Sequence, residues 1–284
     1  MNLMITICFP VYNGEKYIAN ALKYTIRQIQ NDKLDARILI SNNHSDDKTL
    51  EICRDFERQH DYLKIFNQEQ KISLVQNYNF LLKKVDTKYF VFHSHDDVRL
   101  EGFYIKCLKI LEFKKNIVLC YSHADYNDEI TNTIYREEKC KNMGQGSTLN
   151  ERFLNTLKNL ETCAFHGMYR LEAVKKIGLM KNFQGSDHFF LNKLSCEGSF
   201  FEIEKKLMIM NESSHKWKDG SVKNKVKINE KDKNSIFPLT KIFFFSLFYA
   251  FKKQQDKIKN FKLFFLSLKY FFIFLKSDLL AKNN

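Results

Sequence analysis

Apolar residues along the chain follow two alternating periods. Short runs rich in β-branched and aromatic residues, at 4–9, 37–41, Leu63–Asn67, Tyr89–Phe92 and 117–121, have the length and composition of strands. Between them, apolar residues fall three and four apart: Ile18, Leu22, Ile26 and Ile29; Leu50, Cys53 and Phe56; Leu74, Tyr78, Leu81 and Leu82; Tyr104, Cys107, Leu108 and Leu111. That spacing predicts helices with one buried face. Ser45, Asp46 and Asp47 are placed to cap the second helix, with carboxylates at the positive end of its dipole. Strands alternating with helices predict an α/β fold whose mostly parallel sheet is covered by helices.

From about residue 125 the pattern is less regular. A polar stretch, 125–150, contains a short strand-like run near Ile134 and Tyr135 and a loop at 144–147. An element around 162–170 follows, then a helix over Leu171–Ile177 and a turn at Gly185. Ser186 is expected to cap a helix over 187–197, with Gly198 at the C′ position. Strands at 200–203 and 207–210 precede His215 and a basic linker, 216–233.

Composition changes this picture in one respect. The chain of 284 residues carries 46 Lys and Arg against 33 Asp and Glu, a net charge of +13 that invites a nucleic-acid reading. The charge is not evenly spread. Residues 221–284 hold 14 lysines, no arginine and four acids, which accounts for ten of the thirteen charges, together with 12 of the 27 phenylalanines. The chain therefore divides into a nearly neutral body, 1–220, and a basic, Phe-rich tail, 221–284. Apolar runs of 16 and 15 residues at 236–251 and 261–275 are broken by Lys241, Lys262 and Lys269. Both fall short of the roughly 20 apolar residues that span a bilayer. Lysines interleaved with Phe and Leu suit helices lying on an anionic membrane surface. The alternative is packing on the body or a homodimer seam. Nucleic-acid binding predicts basic residues spread over a folded face, not between phenylalanine runs, so nucleic acid is set aside as a partner. A 44% hydrophobic content with two prolines excludes a disordered chain. Seven scattered cysteines, without a CxxC pair or a preceding secretory signal, read as buried thiols of a cytosolic protein.

Ligands of parallel sheets bind beyond the carboxyl ends of the strands. The segments there are polar: Pro10 to Glu15, Asn42 to Asp47, and His93-Ser94-His95-Asp96-Asp97. Two carboxylates and two imidazoles in the last can hold Mg²⁺ or Mn²⁺. Its alternative is a solvated loop in which Asp97 caps the helix after Leu100. A metallo-hydrolase HxHxDH pattern is broken by Val98. Asp187, at a helix start, either projects into a cleft as a base or satisfies the helix dipole. His44 is read as a helix cap and His60 as a solvated helix end.

Taken in order, ITICFPVYNGEKYIANAL, ILISNNHSDDKT, KISLVQNYNFLL, KYFVFHSHDDVRLEGF, FHGMYRLEAV and GSDHFFLNKLSCEGSFFEIEKKLMIMNESSH resemble the landmarks of the family 2 glycosyltransferases with the GT-A fold. The likeness runs from about residue 3 to 216, with a donor half at about 1–100 and an acceptor half at about 101–220. It implies a nucleotide-sugar donor such as a UDP-sugar, a divalent cation (Mn²⁺ or Mg²⁺), and inverting transfer to the hydroxyl of a glycan or glycolipid. Pro10, Tyr12, Asn13 and Glu15 match the first nucleotide-binding loop, and Asn77 and His95 join the donor site. Asn42 falls where the family usually has an Asp contacting the nucleoside. Asp96 matches the second Asp of the DxD-type metal motif, and Asp97 follows it. Ser94 replaces the first acid, as in a subgroup with an xxHDD sequence. Asp187 matches the catalytic base, His215 a histidine completing the metal or diphosphate site, and His166 falls near the acceptor side. With the tail, this implies a cytoplasmic enzyme, peripheral on the inner membrane face, building a bacterial surface glycan such as lipooligosaccharide, capsule or a lipid-linked glycan. Ser94 and Asn42 leave a rival: a non-catalytic or metal-independent nucleotide-sugar-binding relative.

Overall fold

The computed structural model describes residues 4–128, 131, 133–138, 142–159, 163–212 and 238–282. His215, Cys140 and the linker 216–233 lie outside the described residues.

Four strands of the N-terminal pattern form half of one sheet: β1 (Ile5–Val11), β2 (Ala36–Asn42), β3 (Leu63–Asn67) and β4 (Tyr89–Phe92). They pair in parallel in the order β3-β2-β1-β4. Every residue of β1 and β4 is buried, which is why both read as continuous apolar runs without alternation. The crossovers are helices α1 (Ile18–Asn31), α2 (Thr49–Gln59) and α3 (Leu74–Lys84). α1 buries Ile18, Leu22, Ile26 and Ile29 at the expected spacing. The chain lays β2 and β3 on one side of β1 and β4 on the other. The direction of winding thus reverses between β1 and β4, leaving a crevice beyond their carboxyl ends.

Past β4 the sheet is mixed. β6 (Ile117–Asp128) runs parallel to β9 (Ser199–Glu212), while β8 (Met168–Arg170) is antiparallel to both β4 and β6. β7 (Ile134–Glu138) folds back on β6, and the two-residue strand β5 (Val98–Arg99) is antiparallel to β9. β9 joins the two runs expected at 200–203 and 207–210 into one strand, because Glu204, Lys205 and Lys206 between them continue it on an exposed face. The remaining body helices are α4 (Phe103–Phe113), α5 (Leu149–Leu157), α6 (Leu171–Ile177) and α7 (Ser186–Glu197), with a 3₁₀ turn at Cys163–His166.

Helix ends depart from the sequence reading. α2 has no side-chain cap, and Ser45 instead donates to Asn42 Oδ1 at 2.6 Å. Asp47 accepts from the amide of Thr49, the first helical residue, at 2.9 Å. Ser186 is the first residue of α7 rather than its cap, a position held by Gly185 in the left-handed region at φ 78°. Gly198 ends α7 with an extended backbone, φ 179°, not as a left-handed C′ residue. Asp97 caps no helix, since α4 starts only at Phe103. Two capping boxes went unread, Ser73 with Gln76 before α3 and Thr148 with Glu151 before α5.

The tail folds into α8 (Pro238–Gln254) and α9 (Lys257–Lys282). α8 shares a core with the body: Leu239, Ile242, Phe243 and Leu247 pack with Phe153 and Leu157 of α5 and Phe189 and Cys196 of α7, joined by Leu263 and Phe274 of α9. Asp278 of α9 accepts from the amides of Leu239 (3.2 Å) and Thr240 (2.8 Å), placing an anion at the start of α8. The opposite faces leave Phe244, Phe248, Phe261, Phe265 and Phe272 exposed. Among the described residues no helix is long and apolar enough to cross a membrane. Among the described residues, six cysteines are buried thiols.

Candidate active site

Three loops converge at the β1/β4 crevice. The first, after β1, is tied to the start of α2 by a reciprocal pair: the Glu15 amide donates to Asp47 (3.0 Å), and the Glu15 carboxylate accepts from the Lys48 amide (3.0 Å). Asn13 joins the same lattice, its amide donating to Ser45 Oγ at 3.0 Å and its side-chain oxygen accepting from the Asp46 amide at 3.2 Å. Pro10 is buried within β1, whereas Tyr12 is half-buried with the ammonium of Lys71 3.6 Å from its ring centre. Lys71 is exposed and was missed by sequence reading, where it looked like any loop lysine.

Asn42 and Asn77, both expected on the donor side, are held by the scaffold of β2. Asn42 is buried and its amide is engaged at both ends, donating to Asn67 Oδ1 (2.7 Å) and accepting from Ser45 Oγ. Asn77 is likewise buried, accepting from Ser41 Oγ at 2.6 Å and donating to the Ser41 carbonyl at 3.2 Å. Both stitch the scaffold of β2 instead of facing open space, because a buried amide must satisfy its own donors and acceptors first.

The loop after β4 divides its side chains between interior and crevice. His93 is fully buried, stacked on Phe9 with ring centres 4.3 Å apart, and burial with the nearby Arg99 holds its pKa well below the usual imidazole range. His95 is half-buried and lies over Gly14, where a β-carbon would come within 2.7 Å of its ring. That contact joins the loops on either side of the crevice. Asp96 is half-buried, with Ser94 donating to its carboxylate. Asp97 points inward, 3.8 Å from the fully buried guanidinium of Arg99, and accepts from the Asn211 amide at 3.3 Å. Asn211 also donates to the Asp96 carbonyl, so β9 fixes this loop from below. Arg99 and Asn211 are positioning residues that pattern reading passed over. No sequence signal marked them, since the strand that holds Arg99 is only two residues long.

The third contribution comes from far along the chain. A cavity of about 530 Å³ is lined by Ser73, Tyr78, His166, Asn182 and Asp187 among others. Burial raises the pKa of the Tyr78 hydroxyl, and Asp96, Asp97 and Asp187 raise it further. Burial and Arg99 pull the pKa of His166 down to about 4, against the opposing pull of Asp96 and Asp187. Asp96 and Asp187, 91 positions apart, therefore act on the same two cavity residues. His166 is neutral near pH 7 and Arg99 is the fixed cation behind it.

The donor set fits a divalent cation only sparingly. Asp96 offers one accessible carboxylate, Asp97 is engaged by Arg99, and His215 lies outside the described residues. Among the described residues no three His, Cys, Asp or Glu side chains group as a metal site. One carboxylate suffices when substrate phosphates and water complete the shell, as is usual for Mg²⁺.

A parallel half-sheet with a switch-point crevice, a mixed second half, and carboxylates on the loop after β4 and in the first turn of α7 define a GT-A type glycosyltransferase fold. The same fold is found in S. aureus TarS 1-349 in complex with UDP-GlcNAc (TM-score 0.68, 14% identity, 95% of this chain and 73% of that one). It is found again in the mannosyltransferase PcManGT from Pyrobaculum calidifontis in complex with GDP-Man and Mn²⁺ (TM-score 0.54, 12% identity, 99% and 87%). The sequence profile of glycosyl transferase family 2 matches residues 6–178, and the chain belongs to that family. It is 24% identical over 115 residues to the minor teichoic acid biosynthesis protein GgaB of Bacillus subtilis (strain 168), 40% of this chain. It is 22% identical over 128 residues to the glycosyltransferase GlyG of Streptococcus pneumoniae serotype 4 (strain ATCC BAA-334 / TIGR4), 45% of this chain. These matches span 13% and 42% of the lengths of the two curated relatives.

Proposed function

We propose that the chain transfers a sugar, with inversion, from a nucleotide-diphosphate sugar to the hydroxyl of a glycan or glycolipid acceptor. The observation that carries this reading is Asp187 lining one cavity with Tyr78 and His166, two residues whose titration Asp96 also influences. The acceptor hydroxyl is a poor nucleophile at neutral pH, so a carboxylate must take its proton as attack occurs. Asp187, half-buried at the first turn of α7 and lining the cavity, takes that role. Asp96, with His215, would hold Mn²⁺ or Mg²⁺, which when bound offsets the charge growing on the departing diphosphate. Tyr12, Asn13, Glu15 and His95 shape the donor side, and a UDP-sugar is the donor favoured by the ligands of the TarS structures.

The relatives' roles in teichoic acid and glycan synthesis support a bacterial surface glycan as the product. Exposed phenylalanines interleaved with lysines on α8 and α9 support a peripheral place on the inner face of the membrane, next to a lipid-linked acceptor. The test is Asp187→Asn, assayed for sugar transfer and for the thermal shift produced by UDP with Mn²⁺ or with chelator. Transfer is expected to fall about 10²–10⁴-fold with the nucleotide shift retained. Undiminished transfer would remove Asp187 from the mechanism.

A further inference from the structure

Away from the sugar-transfer cavity, α6, α7 and α8 border a second cavity of about 630 Å³ whose lining includes five lysines and no acid. Two of the five are neutralised nearby: Lys176 lies 3.4 Å from Glu172, and Lys253 lies 2.8 Å from Glu197. Lys181, Lys193 and Lys252 have no carboxylate partner among the described residues. Lys193 is the decisive one. It is buried, at 6% exposure, and among the described residues its three donors make a single hydrogen bond, to the Ile177 carbonyl at 2.6 Å. The rings of Phe189 and Tyr249 lie 5.2 and 5.9 Å from its ammonium. Burial, then the like charge of Lys181, pulls its pKa down to about 8, so it remains mostly charged at neutral pH. A buried ammonium beside two uncompensated lysines is costly in the empty protein and is relieved by an anion entering among them.

The surroundings say which kind of anion. Phe245 and Phe248 line the same cavity at 37% and 73% exposure, and they continue into the exposed phenylalanine face of α8. A free inorganic anion would gain nothing from those rings, whereas an amphiphile would cover them. We propose that this cavity seats the phosphate headgroup of an anionic membrane lipid, with Lys181, Lys193 and Lys252 around the phosphate and Phe245 and Phe248 against its glycerol and chain. This rests on α8 facing the membrane and not on the sugar-transfer reading.

The experiment is co-sedimentation of the full chain with phosphatidylcholine vesicles with and without phosphatidylglycerol, followed by thermal melts with inorganic phosphate. Lys193→Met keeps the apolar stem and removes the charge, and Lys181→Gln does the same job at the exposed rim. Lys262→Gln removes an equal charge from the exposed face of α9. Lys262→Gln is expected to weaken binding to phosphatidylglycerol vesicles about fivefold, the effect of a surface lysine. Lys193→Met and Lys181→Gln should each weaken it tenfold or more, about the effect of a hydrogen bond to a charged group. Lys193→Met should melt no lower than wild type, since it removes an uncompensated buried charge. Equal losses for Lys193→Met and Lys262→Gln would overturn the site, as would binding indifferent to phosphatidylglycerol. So would stabilisation by inorganic phosphate without vesicle binding. The UDP-induced thermal shift, read on the same samples, tests the sugar-transfer reading separately.

Discussion

Gly185 and Gly102 form a matched pair that tests how the tail supports the candidate base. Each is the N-cap of a helix, α7 and α4, in the left-handed region, with φ 78°, ψ 21° and φ 83°, ψ 1°. They differ in what a side chain would meet. A methyl at Gly102 would touch only the flexible end of Lys106 at 3.3 Å, whereas at Gly185 it would meet Ile242 Cδ1 of α8 at 2.3 Å. Left-handed backbone costs alanine about 1–2 kcal/mol at either position. Overpacking adds about 1–3 kcal/mol, at Gly185 alone. In urea unfolding, Gly102→Ala should therefore lose about 1–2 kcal/mol and Gly185→Ala about 2–5 kcal/mol. Ile242→Val deletes the methyl in the way. It should cost about 1 kcal/mol in the native background and between nothing and a gain of about 2 kcal/mol after Gly185→Ala, a coupling of about 1–3 kcal/mol. Because Asp187 is two residues on, Gly185→Ala should also slow sugar transfer while leaving UDP binding intact, and Ile242→Val should restore the rate. Equal losses for the two glycine substitutions, with Ile242→Val simply additive, would refute the packing of α8 beneath the start of α7.

Two further outcomes follow from the buried charges. Arg99→Met should cost about 3–5 kcal/mol in urea unfolding by leaving Asp97 uncompensated, and adding Asp97→Asn should recover most of it; a neutral Arg99→Met would show that the pair is not coupled. His166 titrates at about 6.5 when unfolded and about 4 when folded, so its share of stability is complete above pH 6.5 and lost as pH falls toward 4. That share is about 2 kcal/mol between about pH 7 and about pH 5, so the difference between urea midpoints at the two values should shrink by that share in His166→Gln, the buried His93 keeping its own; an unchanged difference would refute it.

Legibility in the sequence tracked burial. Tyr89–Phe92 is legible as an apolar run between Lys88 and His93, Leu63–Asn67 by its alternating buried and exposed positions, and Leu171–Ile177 by apolar residues at helical spacing before Gly178. β5 was not, since two residues carry no period, and with it went the meaning of Arg99. β9 was split because its exposed centre, Glu204 to Lys206, breaks the apolar pattern without breaking the backbone ladder. At the site, Asp96 and Asp187 are singled out by resemblance to a family, and the placing of Asp187 in one cavity with Tyr78 and His166 is tertiary information that no local spacing holds. Asn42 and Asn77 show the reverse limit. Polar residues at strand ends look available in sequence, and whether their amides are already spent depends on partners elsewhere, here Asn67, Ser45 and Ser41. The charge of the tail was read as a surface property, yet the inner face of α8 is core.

The contact of Ile242 with Gly185 also sets an order of events during synthesis. Asp187 leaves the ribosome long before its support does: Leu247, the last large residue of α8 in the shared core, follows it by 60 positions. At about 5–20 residues per second that is a delay on the order of 3–12 s. During this interval the start of α7 lacks its neighbour. The first turn of α7, with Asp187, thus gains its packing last, at the same moment as the exposed phenylalanine face of α8.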